Sequence, residues 1–371
     1  MVSEIRKEIL SQVRRVVVKV GTAVLTGSDG RLSEGRIGQI AAGLASLVQG
    51  GRRVALVTSG AIGAGMGELG LSERPDSMAQ LQALAAVGQS HLMRLYEREF
   101  HRFGFHAGQI LVTRQTFEER TAYLNVRKTL NTLESYGAVA VINENDSVST
   151  DEIRLGENDV LSALVANLLG AELLLILTSV EGLLDHEGRL VRVVDDVDAA
   201  FKLVRGARSR LGTGGMATKL EAARIVTRAG EAAIIANGRE NQAIERIGRG
   251  ESLGTLFLPA GPRMKGRKRW MRFSLRARGT VLCDDGARRA VQQMGKSLLA
   301  SGVTGCQGNF EKGDLVTLAG GDGREFARGL AEFGAGEVRK IMGMRSSEIE
   351  KVLGKGVTGV VVHRDNLVLV D

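Results

Sequence analysis

The stretch VVVKVGT at residues 16–22 joins a run of β-branched residues to a glycine turn. Its valines do not alternate with polar residues, so the run predicts a strand that is covered on both faces, as in a parallel sheet. Lys19 lies inside this run, where an unpaired ammonium group would be costly. We therefore expect an anion to hold Lys19. The alternative is an edge strand whose lysine reaches solvent.

Five more runs of this kind follow, separated by longer helical patterns. The runs are VALVTS at 54–59, QILVT at 109–113, VAVIN at 139–143, LLLILT at 173–178 and AAIIANG at 232–238. Apolar residues recur at intervals of three and four in the segments 37–49, 78–103, 123–136, 160–169 and 218–229. This alternation predicts an α/β fold, a three-layer sandwich with a mostly parallel central sheet.

Ligands of such sheets bind at the carboxyl ends of the strands, so the residues after each strand form the candidate site. After the second strand, Ser59 and Gly60 begin the glycine-rich segment SGAIGAG at 59–65. Its backbone N–H groups, at the start of a helix, suit a carboxylate or a phosphate. Close helix packing is the other explanation for these glycines.

Two polar clusters follow the fourth strand, NEND at 143–146 and GEND at 156–159. Asn and Asp side chains can hold both charged ends of an amino acid, with the amide accepting or donating and the carboxylate pairing with the ammonium group. The alternative for Asn158 or Asp159 is a helix N-cap. Two such clusters after one strand favour binding.

A third glycine-rich loop, LGTGGMATK at 211–219, leads into a helix with Lys219 in its first turn. A cation at that position opposes the helix dipole, so local stability does not explain it. A phosphate bound at the helix start would explain it. The alternative is a loop that only connects two elements.

The chain has 371 residues, of which 43% are hydrophobic and 25% charged, and this composition predicts a soluble, folded protein. Cys283 and Cys306 have neither zinc-site nor disulfide-framework spacing. The N-terminal segment predicts an amphipathic helix rather than a signal peptide, and no apolar run reaches the length of a membrane helix. We therefore expect a cytoplasmic protein without a membrane span.

The net charge of +8 comes from one segment. Residues 1–259 hold 30 basic and 30 acidic side chains, and residues 279–371 hold 12 of each. The segment 260–278 has eight basic side chains, no acidic ones, Pro262 shortly after Pro259, and Trp270, the only tryptophan. It predicts a basic linker between two neutral domains, either solvated or with an interdomain or phosphate-binding role.

Three short motifs suggest other enzyme classes but lack the required context. The G-x-G-x-x-G at 65–70 begins well after its strand, and no acidic residue follows at the spacing of a dinucleotide fold. The segment GKS at 295–297 lacks the first glycine of a Walker A loop. HRDN at 363–366 has no room after it for the metal-binding motif of a protein kinase.

The remaining motifs occur in a recognisable order. VVVKVGTAVLT, VTSGAIGAG, AVGQS, VINENDSV, GENDVLSA, GTGGMATK and GTLF resemble the glutamate 5-kinase branch of the amino acid kinase family, over the whole chain. From Gly279 onward, GTVLCDDGARRAV and SLLASGVTGCQGNFEKGDLV resemble a PUA domain, a small β-barrel-like module known from RNA-modifying enzymes. Alternating short strands and glycine turns agree with that resemblance.

The resemblance implies an amino acid kinase catalytic domain at 1–259 and a mainly-β PUA domain at 279–371. It implies transfer of the γ-phosphoryl group of ATP to the side-chain carboxylate of L-glutamate, the first step of proline biosynthesis. Mg²⁺ would be bound mainly through ATP, without a metal site built from protein side chains. Members of the family are homo-oligomers inhibited by proline, so a dimer or tetramer is expected.

The matching motifs also imply site residues. The catalytic residues would be Lys19, Lys219 and Asp159, with both lysines on the transferring phosphoryl group and Asp159 between them. Ser59, Gly60, Asp146 and Asn158 would bind glutamate. ATP would contact Lys19, Gly21, Thr178, Ser179, Thr213, Gly214, Gly215, Met216, Ala217, Thr218 and Lys219. Ser179 departs from the family, which usually has aspartate there.

Two other functions stay open at this point. A different kinase of the same fold would act on acetylglutamate, aspartate, carbamate or UMP. An RNA-binding or RNA-modification-related protein would use the PUA domain, but that domain is neutral and offers only Phe310, Phe326 and Phe333 as aromatic residues. RNA is therefore a partner that the sequence leaves unsupported.

Overall fold

A computed structural model describes residues 2–27, 31–148, 157–204, 215–273, 277–354 and 357–370. The chain divides into two compact units, Met1–Arg263 and Met264–Asp371. The first unit contains α1 (Val2–Ser11), β1 (Arg15–Val20), α2 (Thr22–Leu25), α3 (Glu34–Gln49), β2 (Arg53–Val57), α4 (Ala61–Glu68), α5 (Met78–His101), β3 (Ala107–Val112), α6 (Arg114–Glu118), α7 (Arg120–Ser135), β4 (Val139–Glu144), α8 (Glu157–Leu169), β5 (Leu173–Thr178), β6 (Val193–Val194), α9 (Val197–Val204), α10 (Met216–Arg228), β7 (Ala232–Asn237), α11 (Ala243–Gly248) and β8 (Thr255–Phe257).

The strands of the first unit form one eight-stranded sheet in the order β3-β4-β2-β1-β5-β7-β8-β6. All neighbouring strands are parallel except β7 and β8. The predicted α/β fold is therefore confirmed. Strand β1 lies in the middle of the sheet between β2 and β5, which excludes the edge-strand alternative for Lys19.

The alternation of side chains along β1 decides which helices face Lys19. Val16, Val18 and Val20 belong to an apolar core that residues of α3, α5 and α11 complete. Val17 and Lys19 therefore point to the opposite face of the sheet. Helix α8 packs on β1 and β5, and α10 packs on α8, so these two helices cover the face that carries Lys19.

The six predicted strands and five predicted helices are present, with small shifts at their ends. Periodicity does not predict β6 or β8, because strands of two and three residues are too short to show a period. It also does not predict the extent of α4, because a helix of eight residues with three glycines is too short to show a clear apolar period.

Helix α1 is held by a buried arginine. The Arg6 guanidinium donates to the carbonyl oxygens of Glu251 at 2.9 Å and of Gly254 at 3.3 Å, and also to that of Leu253. Burial, with a smaller contribution from Arg192, lowers the pKa of Arg6 to about 10. Because these carbonyl groups immediately precede β8, Arg6 ties the N-terminal helix to the last strand of the unit.

The second unit contains α12 (Gly266–Phe273), β9 (Gly279–Cys283), α13 (Asp285–Gln292), β10 (Leu298–Leu299), a 3₁₀ turn (Ala300–Gly302), β11 (Val303–Gly308), β12 (Leu315–Gly320), β13 (Glu325–Ala331), α14 (Ala335–Ile341), α15 (Ser346–Leu353) and β14 (Val360–Leu369). Its six-stranded sheet has the order β10-β14-β13-β12-β9-β11. Only β9 and β12 pair in parallel among the described strands. The predicted mainly-β second domain is confirmed.

The basic segment 260–278 contains helix α12, in which Arg269, Trp270 and Met271 are buried. This helix packs on β13 and β14 within the second unit, while Arg267 and Lys268 are exposed. Trp270 thus contributes to packing. The domain limits 259 and 279 stay predictions, and the two units divide after Arg263.

Both cysteines are free; Cys283 is buried and Cys306 is half-buried. Within the described part of the chain, no helix has the length and apolar character needed to span a membrane.

Candidate active site

Two lysines and one aspartate meet near the carboxyl end of β1. Lys19 Nζ lies 2.6 Å from Asp159 Oδ1, and Lys219 Nζ lies 3.1 Å from Asp159 Oδ2. Asp159 is 0% exposed, and the lysines are 5% and 7% exposed. The structure thus brings together three predicted site residues from β1, α8 and α10, which we call the ion-pair cluster.

The starts of two packed helices position this cluster. Asp159 is in the first turn of α8, and Lys219 is in the first turn of α10. The Thr218 hydroxyl lies 2.7 Å from Asp159 Oδ2 and 2.9 Å from the Gly215 carbonyl oxygen. Asp159 therefore supplies the negative charge that makes a lysine acceptable at the start of α10. The Asp159 carboxylate contacts Lys19, Lys219 and Thr218, so it does not act as a helix N-cap.

Burial and charge act in opposite directions on these groups. Burial lowers the pKa of the Lys19 ammonium group, Asp159 opposes that change, and Lys219 adds to it. Burial alone would raise the pKa of the Asp159 carboxyl, but Lys19 and Lys219 hold it below its ordinary value. With all three groups ionised, two positive charges face one negative charge. The resulting excess of positive charge suits an anionic ligand.

Glycines let the backbone turn beside the cluster. The Gly21 N–H donates to the Leu177 carbonyl oxygen at 3.2 Å, and a Cβ at Gly21 would lie 3.4 Å from Lys19 Nζ. This N–H is therefore used by the neighbouring strand, whereas the resemblance implies that Gly21 contacts ATP. Gly60 precedes α4 with φ of 98°, a left-handed conformation that favours glycine.

Of the other two glycines of 59–65, only Gly65 serves helix packing. A Cβ at Gly65 of α4 would lie 2.0 Å from the Leu84 carbonyl oxygen, and a Cβ at Gly88 of α5 would lie 1.8 Å from the Ala61 carbonyl oxygen. By contrast, a Cβ at Gly63 would meet nothing within 4 Å. The packing explanation therefore holds for Gly65, and anion binding by this segment stays a prediction.

A group of side-chain amides lies next to the ion-pair cluster. Asn158 Nδ2 is 3.0 Å from both the Thr58 carbonyl oxygen and Ser59 Oγ, and 3.1 Å from Asn143 Oδ1. Asn143 Nδ2 donates to Gln89 Oε1 at 2.8 Å. We call Gln89, Asn143 and Asn158 the amide network. It connects α5, β4 and α8 with the turn that carries Ser59.

Helix α5 supports the same turn at a second point. The Tyr96 hydroxyl lies 2.9 Å from Thr58 Oγ1, and burial raises the pKa of Tyr96. The sequence indicates no role for Tyr96 or Gln89, and it indicates Asn143 only as a member of the polar cluster 143–146. The motifs AVGQS and VINENDSV contain Gln89 and Asn143, but neither motif indicates that the two side chains meet.

The predicted nucleotide residues lie at neighbouring strand and helix ends. Thr178 ends β5 and is buried, and Ser179 after it is exposed. Gly215 is the N-cap of α10, whose first turn contains Met216, Ala217, Thr218 and Lys219. Asp146 is half-buried just after β4. Thr213 and Gly214 lie outside the described residues.

Comparisons with known proteins agree along the chain. Residues 14–237 match the amino acid kinase family, and residues 279–353 match the PUA domain. The glutamate 5-kinase of Geobacter sp. (strain M21) is 47% identical over 98% of this chain and 100% of that protein. Those of Syntrophotalea carbinolica and Caldanaerobacter subterraneus are 46% and 44% identical, over 98% and 96% of this chain and 99% and 98% of their own lengths.

A solved carbamate kinase from Giardia is 16% identical with a TM-score of 0.49, covering 67% of this chain and 99% of its own, and we draw no conclusion from that weak likeness. The full-length relatives and the match over 14–237 are decisive. The chain belongs to the amino acid kinase family and, within it, to the glutamate 5-kinases that carry a PUA domain.

Proposed function

We propose that the protein transfers the γ-phosphoryl group of ATP to the side-chain carboxylate of L-glutamate, forming L-glutamyl 5-phosphate for proline biosynthesis. The observation that carries this proposal is the ion-pair cluster, in which Asp159 is buried between Lys19 and Lys219. Both reactants are anions, so the transfer requires fixed positive charge where they meet. The cluster provides that charge at the end of the sheet where ligands bind.

The chemistry then consists of positioning and charge stabilisation. The acceptor carboxylate is ionised at neutral pH, so no general base has to deprotonate it. Lys19 and Lys219 stabilise the oxygens of the transferring phosphoryl group from two sides. Asp159 holds their ammonium groups in place while the anions are absent.

Other residues divide between the two substrates. Ser59, Gly60, Asp146 and Asn158 bind glutamate, and their positions after β2, after β4 and in α8 support this role. The nucleotide lies along Gly21, Thr178, Ser179 and the segment 213–219. The exposure of Ser179 supports a contact at the open side of the nucleotide site.

The described side chains do not provide a set of metal ligands. Among them, no group of three or more His, Cys, Asp or Glu residues is close enough to hold a metal ion. The Asp159 carboxylate is already occupied by two ammonium groups. We therefore propose that Mg²⁺ arrives on the ATP phosphates, where it offsets part of their charge.

Three further properties are proposed from the family alone. Proline would inhibit by binding where glutamate binds, since both present an amino acid head group. The enzyme would be a cytoplasmic homo-oligomer, a dimer or a tetramer. An RNA-directed function is not favoured, because the full-length relatives carry the kinase name and the same domain order.

The test is an acceptor panel. ADP release would be followed with ATP, Mg²⁺ and one of L-glutamate, N-acetyl-L-glutamate, L-aspartate, carbamate or UMP, with hydroxylamine present to trap an acyl phosphate. We expect ADP release and hydroxamate formation with L-glutamate alone. Activity confined to another acceptor would refute the proposed substrate.

A further inference from the structure

A backbone contact fixes which atoms of the amide network donate hydrogen bonds and which accept them. The backbone N–H of Glu144 lies 2.9 Å from one amide atom of Asn143. A backbone N–H can only donate, so the Asn143 atom that faces it must be the oxygen. The amino group of Asn143 then faces Gln89, and the Gln89 atom at 2.8 Å must be the oxygen.

The orientation of the Asn158 side-chain amide follows from its contacts in the same way. The Asn143 oxygen faces it at 3.1 Å, and the Thr58 carbonyl oxygen faces it at 3.0 Å. Both atoms only accept, so the Asn158 atom between them must be the amino nitrogen. Two independent acceptors therefore determine the orientation of the Asn158 amide.

This orientation leaves one acceptor unused. Asn158 Oδ1 is buried and has no hydrogen-bond partner among the described residues. Buried polar atoms almost always have a partner, so the oxygen indicates a donor that binds here. At the other end of the network, Gln89 is 8% exposed, and its Nε2 likewise has no hydrogen-bond partner within the described part of the chain.

We propose that Gln89 and Asn143 are positioning residues that hold Asn158 with its carbonyl oxygen toward the ammonium group of the amino acid substrate. The proposal rests on the proposed function of this site and deepens it. The sequence leaves open whether the Asn158 amide accepts a hydrogen bond from the substrate or donates one to it. The contacts with backbone groups indicate that it accepts. Asn158 then selects an acceptor molecule that carries an ammonium group, while its amino group stays engaged with Thr58, Ser59 and Asn143.

Two replacements of Gln89 separate positioning from packing. Gln89→Glu keeps an oxygen that accepts from Asn143, whereas Gln89→Met keeps the side-chain length and removes the acceptor. We expect Gln89→Met to raise the glutamate KM about tenfold, the size of a weakened hydrogen bond to a charged group, with the ATP KM changed by less than about twofold. Gln89→Glu should raise the glutamate KM by no more than about threefold, because the chain of donors and acceptors is kept.

A ligand without the ammonium group shows which part of glutamate the variant binds less tightly. Glutarate has both carboxylates of glutamate and no amino group, so its inhibition constant against L-glutamate should be unchanged in Gln89→Met. The matched control is Gln109→Met on the exposed part of β3, which should change neither constant. Asn143→Asp is the second test position. It still accepts from Glu144 and Asn158 and should keep a lower glutamate KM than Asn143→Leu.

The outcomes are distinct. The proposal is overturned if Gln89→Met has a normal glutamate KM, if Gln89→Glu is as impaired as Gln89→Met, or if glutarate binding weakens in parallel. Should the Gln89 variants not fold, equal KM values for Asn143→Asp and Asn143→Leu would overturn it. A failure of the proposed function would instead appear in the unmodified protein, as an absence of glutamate-dependent ADP release.

Discussion

The ion-pair cluster and the amide network lie side by side, since Asn158 and Asp159 are consecutive residues of α8. One group holds two positive charges against one negative charge, and the other consists of neutral amides in a fixed order of donors and acceptors. Both are largely buried. They differ in what holds them in place.

That difference matches the two substrates. A transferring phosphoryl group needs charge, and charge acts over several ångströms without strict direction. An amino acid head group needs a donor or acceptor in a defined place, and hydrogen bonds supply that direction. Changes in the ion-pair cluster should therefore affect turnover and stability, whereas changes in the amide network should affect the choice and binding of the acceptor.

The largest effect is expected for Asp159→Asn. Removing the carboxylate leaves two buried ammonium groups without a counter-charge, which should reduce the free energy of unfolding by about 3–5 kcal/mol. Misplaced lysines should also lower kcat by roughly a thousandfold. Urea unfolding and steady-state kinetics measure both.

The matched control for that change is Asp185→Asn, because Asp185 pairs with the exposed Arg189 and an asparagine oxygen can still accept from the backbone N–H groups of Glu187 and Arg189. It should alter neither quantity, as exposed ion pairs contribute little. An Asp159→Asn variant with normal stability and turnover would mean that the cluster does not depend on its carboxylate.

Lys219→Met should affect turnover more than folding. It removes one positive charge and leaves the Lys19–Asp159 pair intact. We expect kcat to fall about a hundredfold to a thousandfold with a small change in the glutamate KM. Lys128→Met, an exposed lysine of α7, is the control. Near-normal kcat in a folded Lys219→Met variant would remove Lys219 from the phosphoryl site.

A third prediction concerns the support beneath the amide network. Gly88→Ala places a methyl group where it would lie 1.8 Å from the Ala61 carbonyl oxygen, so α4 and α5 must separate. Overpacking of this kind should lower the free energy of unfolding by about 1–3 kcal/mol. Because Gln89 is the next residue, the glutamate KM should rise while the ATP KM stays near its original value.

Gly63→Ala is the matched variant, since a Cβ at Gly63 meets nothing within 4 Å. It should leave the stability and both KM values close to those of the unmodified protein. Equal destabilisation by the two substitutions would show that glycine content, rather than the approach of α4 and α5, matters in this region.

The smallest effect is expected for Ser179→Asp. Ser179 is exposed, so a carboxylate there is screened by water and its influence on the nucleotide is weak. The ATP KM should change by less than about threefold, and the glutamate KM should not change. A larger shift in the glutamate KM, measured at saturating ATP, would mean that residue 179 also influences glutamate binding.

Much of the fold follows from local sequence. The run 173–178 predicts β5 at its observed bounds, because an apolar strand of six residues gives a clear signal. The helix α12 inside the basic segment is different. Arg269 and Trp270 are buried there, yet the surrounding charges and prolines predict an irregular linker.

In the site, too, some residues can be predicted from local sequence and others cannot. Lys19, Asp159 and Lys219 each stand out locally, because a lysine in an apolar strand or in the first turn of a helix needs an explanation. Gln89 does not stand out, since a single amide in a helix is common, and Asn143 stands out only as a member of the polar cluster 143–146. Their role depends on a hydrogen bond between residues 54 positions apart, which only the tertiary fold brings together.

The contacts of Arg6 have a consequence for how the protein is made. This side chain is buried against the carbonyl group of Gly254, 248 positions later in the chain. A ribosome extends a protein from its amino end, so α1 is made well before the carbonyl groups that Arg6 contacts. Until then the apolar side chains of α1 lack their partners in the core, so the first unit can complete its packing only after nearly all of its chain has been made.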